Sequence, residues 1–133
     1  MKPVFNTTVI GDHPLNKNFE YVQFNPDLLL IRCKTDGLYQ AKSIPEALQS
    51  DYKTRYWFKE KRNQEKLKQF MKTNNIKNES IIHDVKMNVP EPLQGHYINE
   101  QFIYPIAFDC DQIYKAEFLR KFYEWKSQNP DMK

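Results

Sequence analysis

Apolar and polar positions divide the chain into a polar leading stretch, a strand-like region, a long helical centre and a helical end. Over residues 1–27 the apolar positions are sparse: Val4, Phe5, Val9 and Ile10, then Phe19, Tyr21, Val22 and Phe24. A loosely attached arm with room for one strand is expected there. Leu28–Cys33 is an apolar run, Thr35, Asp36 and Gly37 supply turn residues that tolerate positive φ, and Leu38 and Tyr39 resume the apolar pattern, which together predict a β-hairpin. Ser43, Pro45 and Glu46 stand where an N-cap, a first-turn proline and the closing residue of a capping box belong, so a short helix is expected over 44–49.

Residues 51–73 contain no Gly or Pro and are mostly strong helix formers, with Asp51 placed to cap them. One continuous helix is predicted. At 100° per residue, Tyr56, Trp57, Leu67, Phe70 and Met71 fall within about 140° of one another and form a core-facing stripe. Residues 74–78 are a polar break. Two readings of the next segment stand level: a short helix from Ser80 through Val85, or a strand marked by the alternation of Val85, Met87 and Val89. Pro90, Glu91 and Pro92 force a turn or extended link, Gly95 marks a tight position, and His96, Tyr97 and Ile98 read as a short strand. Ile113, Ala116, Leu119, Phe122 and Tyr123 recur at helical spacing behind Asp109 or Asp111, predicting a closing amphipathic helix to about Trp125.

At 133 residues, with 40% hydrophobic and 14% aromatic residues, the chain can furnish one core and is read as one domain. Its start lacks the apolar run of a signal peptide, and the apolar stretch 102–108 is interrupted by Pro105 and too short to span a bilayer. A cytoplasmic or nuclear protein, not secreted, is expected. Cys33 and Cys110 lie far apart and are read as reduced, buried thiols. The sequons at Asn6 and Asn78 would matter only in a secreted protein.

Charge placement says more than the net +3. Residues 53–77 hold nine cations against Glu60 and Glu65, a local +7 that leaves −4 on the rest. On the predicted helix Arg55, Lys59, Arg62 and Lys66 follow one flank, and Lys61, Lys68 and Lys72 the other. With Lys53 these are the candidate phosphate contacts, since each cation that neutralises a phosphate releases counterions. Arg55, Arg62, Asn63 and Gln64 are the only groups in the helix body able to read base edges. Trp57 is read as core, while Phe58 divides between an exposed stacking ring and burial against the arm. His83, His96, Cys33 and Cys110 lack metal-site spacing, and capping explains Asp109 and Asp111 more simply than a nuclease cluster with Asp84, so neither a metal, a cofactor nor catalysis is expected.

Three segments resemble the KilA-N domain of large DNA viruses and phages, a family related to the fungal APSES domains. Residues 37–44, Gly-Leu-Tyr-Gln-Ala-Lys-Ser-Ile, are similar to that family's strand-to-helix signature, with Ala41 kept and Gln40 where asparagine is usual. Residues 56–62, Tyr-Trp-Phe-Lys-Glu-Lys-Arg, resemble its tryptophan-led basic helix. Residues 93–98 and then Ile106 and Ala107 resemble its glycine, tyrosine, short strand and following helix, and the run to Trp125 is especially like poxviral members. The resemblance implies an α+β, winged-helix-like domain over 28–126, between an arm at 1–27 and a tail at 127–133, with an N-terminal β-hairpin followed by helices and a short strand. It also implies a viral DNA-binding protein of the host cytoplasm (viral factory) or nucleus. Duplex DNA is the expected partner, with single-stranded DNA, RNA, a host protein and a homodimer left open, and no membrane. The competing reading is a protein-interaction module acting on a host factor. The link at 89–94 departs from the family's basic, glycine-bearing wing, because Glu91 between two prolines should repel phosphate.

Overall fold

A computed structural model describes residues 7–77, 82–85 and 89–128. Six antiparallel strands form one sheet: β1 (Thr8–His13), β2 (Asn16–Asn25), β3 (Leu28–Cys33), β4 (Tyr39–Gln40), β5 (Ile82–Val85) and β6 (Gly95–Ile98), in the order β1-β2-β3-β4-β6-β5. Helices α1 (Ser43–Ala47), α2 (Thr54–Lys59) and α3 (Lys61–Asn74) intervene between β4 and β5, and α4 (Ile103–Cys110) and α5 (Gln112–Gln128) follow β6. The α+β class is as expected, and so is the hairpin: Arg32 pairs with Tyr39 across a turn in which Gly37 takes φ +75° and the Asp36 carboxylate accepts from the Leu38 N–H.

The period-2 alternation of β2 and β3 serves two cores. Val22, Phe24, Leu28 and Leu30 face one side of the sheet, where Ile44, Trp57, Leu67, Ile103 and Ile106 cover them. Phe19, Ile31 and Cys33 face the other, under Leu38, Leu93 and Tyr97. The leading segment is therefore no loose arm with one strand. It supplies two strands, and the buried Asn25 at the end of β2 donates to the hydroxyls of Tyr104 and Tyr114, tying the strand to both closing helices. Glu20 pairs with Arg32 across β2 and β3 at 2.7 Å.

The expected capping box does not form. The Ser43 hydroxyl instead donates to the Gln40 carbonyl at 2.6 Å and accepts from the Ile31 N–H, joining β4 to β3, while Lys42 stands at the N-cap without a side-chain capping bond. Residues 82–85 form a strand paired with β6, which decides between the two readings of that segment; Ser80 and Met87 lie outside the described residues.

The central helix is not continuous and does not begin at Asp51. It starts at Thr54 and breaks at Glu60, whose backbone is extended at ψ 129°. Asn63 accounts for the break: at 100° per residue from Tyr56 an unbroken helix would put this amide inside the apolar stripe, between Phe70 and Tyr56 and away from water. The break frees the Trp57 carbonyl, and the buried Asn63 Nδ2 donates to it at 2.9 Å, while Gln64 Nε2 donates to the Phe58 carbonyl. The same break turns Tyr56 out to 51% exposure while Trp57 and Leu67 stay buried and Phe70 and Met71 half-buried. Asn63→Ala should leave that carbonyl with only the long 3.4 Å bond from the Glu60 N–H and destabilise the fold by roughly 1–3 kcal/mol, read as a lowered urea midpoint; an unchanged midpoint would mean the break does not depend on this amide.

Candidate nucleic-acid interface

The element that carries the cations is held by Trp57. Its ring is fully buried, edge-on to Phe58 and Phe102, and its Nε1 donates to Asp109 Oδ2 at 2.9 Å, fastening α2 to α4. Asp109 thus has a structural partner, and Asp111 caps α5 by accepting from the N–H groups of Ile113 and Tyr114. Phe58 sits neither exposed nor against the leading segment. It stacks on the His96 ring of β6 at 4.4 Å and 20°.

Lys53, Arg55, Lys59, Lys61, Arg62, Lys66, Lys68 and Lys72 are all exposed, but the break redistributes them. Arg55 and Lys59 belong to α2 and Arg62 and Lys66 to α3, so the single expected shoulder is split. Arg62 is also compensated: its Nε donates to Glu60 Oε2 at 2.9 Å and it lies 3.6 Å from Asp109 Oδ2. Arg55 lies over the Tyr56 ring and donates to its hydroxyl, a hydrogen bond that lowers the phenol's pKa. Lys53, Lys59, Lys61, Lys66, Lys68 and Lys72 have no ion pair among the described residues. Of these, Lys61, Lys68 and Lys72 lie together on one flank of α3, about 100–140° around from Leu67, and span about 16 Å of axis at 1.5 Å per residue. They form a basic row on one helix, with Glu65 the single carboxylate beside it among the described residues of α3.

Two of the groups able to read bases have internal partners, since Asn63 and Gln64 bind backbone carbonyls. Arg62 is held by carboxylates, which leaves Arg55. A residue missed from the sequence is Lys42: it lies outside the basic block, yet it lines, with Lys53, Arg55, Ser50 and Thr54, a hollow of about 290 Å³. Its place in the strand-to-helix signature was the available signal. The link at 89–94 is bound down, with Gln40 Nε2 donating to the carbonyls of Pro92 and Gln94 and Lys42 Nζ to that of Glu91. Cys33 and Cys110 are free thiols, and burial pushes that of Cys110 up to about 12, so it stays protonated.

The family model for the KilA-N domain matches residues 22–128. The chain belongs to the KilA-N family. KilA-N domains are generally DNA-binding modules, so an exposed row of unpaired lysines is the feature of this KilA-N chain to weigh first. No curated protein and no solved structure matches it. The match begins inside β2, so it takes in Val22 and Phe24 of one core, while Phe19 of the other lies ahead of it. No helix among the described residues is long and apolar enough to cross a membrane.

Proposed function

We propose that this KilA-N domain binds duplex DNA by contacting phosphates with the outer side of α3, centred on Lys61, Lys68 and Lys72, with Lys53, Arg55, Lys59 and Lys66 as flanking contacts and Arg62 chiefly structural. The reading rests on one observation: all eight candidate cations are exposed, and seven of them, all but Arg62, lack an ion pair among the described residues. Phosphate contacts position without reading sequence, and the internal partners of Asn63 and Gln64 leave few groups for base edges. Duplex is favoured over single strand because stacking platforms need open rings, whereas Trp57 is buried, Phe58 lies on His96 and Tyr56 lies beneath Arg55. The acidic link at 89–94 stays off the phosphates. The role is binding, without catalysis, in the host cytoplasm or nucleus.

A titration of labelled duplex and of a single strand of equal length, at several salt concentrations, tests this. Five or more phosphate contacts correspond to a log-log salt slope steeper than about −4 for duplex, with the single strand bound more weakly. Binding that ignores salt, or a tighter single strand, would overturn the proposal.

A further inference from the structure

Helix α5 is apolar on two sides. Tyr114 and Phe118 face inward, packing with Tyr104 and Phe108. The stripe that the sequence marks most clearly faces the solvent instead: Ile113 is 73% and Tyr123 63% exposed, Ala116 is exposed and Leu119 half-exposed. At 100° per residue these four fall within about 120° of one another. A surface helix in a monomer has a polar outer face, and one with apolar residues on both sides is commonly enclosed by two partners.

The flanking charges say which partner fits. In an antiparallel pair of α5 helices related by a two-fold axis near Phe118, Ile113 of one copy lies against Tyr123 of the other. The same register brings Glu117 beside Arg120 of the second copy, where Arg120 already pairs with Glu124 of its own helix, so that the second copy extends an existing ion pair, and the contact occurs twice by symmetry. We infer that the outer face of α5 is a self-association surface whose occupant is a second copy of this chain, docked antiparallel through Ile113, Ala116, Leu119 and Tyr123. One helix pair buries less than the roughly 1,600 Å² of a standard interface, so the dimer is reversible and concentration-dependent.

The test is sedimentation equilibrium of the full chain, free of nucleic acid, over a wide concentration range. The parent should pass from monomer to dimer, and Ile113→Lys, at an already exposed position, should remain monomeric with an unchanged circular dichroism spectrum. Glu117→Arg and Arg120→Glu should each weaken self-association by at least about tenfold through like-charge contact. Mixed together, these two variants have complementary pairs again at both sites and should form a mixed dimer. A parent that stays monomeric throughout, a dimer indifferent to all three substitutions, or a mixture that fails to pair would each overturn the inference. A monomeric parent would leave the stripe to a different protein.

Discussion

Trp57→Ala should lower the unfolding free energy by about 3–5 kcal/mol, a large share of the roughly 5–15 kcal/mol that a domain of this kind possesses. The indole is fully buried between Phe58 and Phe102 and is the direct side-chain link from α2 to Asp109 on α4. Its removal opens a cavity and leaves the Asp109 carboxylate with only the more distant Arg62. Trp57→Phe separates the two effects. It keeps most of the ring volume but loses the Nε1 donor, so the expected loss is about 1–3 kcal/mol. Urea denaturation followed by circular dichroism reads both. An alanine variant with the parent's midpoint would mean that this ring does not organise the core.

The triple change Lys61→Gln, Lys68→Gln and Lys72→Gln should have the largest effect on binding while leaving stability nearly untouched, because all three side chains point away from Leu67 and have no ion pair among the described residues. Losing three phosphate contacts flattens the log-log salt slope by about 2.7. The advantage of the parent over the variant should then shrink roughly forty-fold between 50 and 200 mM salt. Arg62→Gln should change affinity only modestly, since its guanidinium is held by Glu60 and Asp109, and because that pair is largely exposed its stability cost should stay below about 1 kcal/mol. Lys17, exposed in the β2 strand beside the free edge of the sheet, is the control. If Lys17→Gln alters the salt slope as much as the triple change does, the α3 face is not the binding surface.

Some of this was legible in the sequence for clear reasons. The hairpin around Gly37, the strand at 95–98 and the Asp111 cap depend on local rules that nearby residues satisfy. The leading strands were obscured because β2 is covered on both faces, so its apolar residues do not alternate cleanly, and its polar residues Glu20 and Asn25 find partners far along the chain. The helix break did have a signal, an asparagine inside an apolar stripe, whose amide finds its partner at the Trp57 carbonyl where the helix breaks. The orientation of α5 had none: with apolar residues on two sides, periodicity alone does not say which one the core takes. For the candidate site, the block of charge was visible, whereas the compensation of Arg62 depends on Asp109, a long-range contact that no local pattern encodes.

The sheet order also dictates an order of assembly. Strands β2 to β4 each pair with the strand before them, but β4 meets β6 only after α1, α2, α3 and β5 have been traversed, when Tyr39 joins Ile98 and Gln40 joins Tyr97. The entropy of closing so long a loop must be met before the pairing rewards it. The meander can therefore assemble from local contacts, while this seam arrives late. Both faces of the sheet wait on it, because Ile98 belongs to one core and Tyr97 to the other. Because one closure completes both cores, unfolding should show a single cooperative transition, the same by near-UV and far-UV circular dichroism.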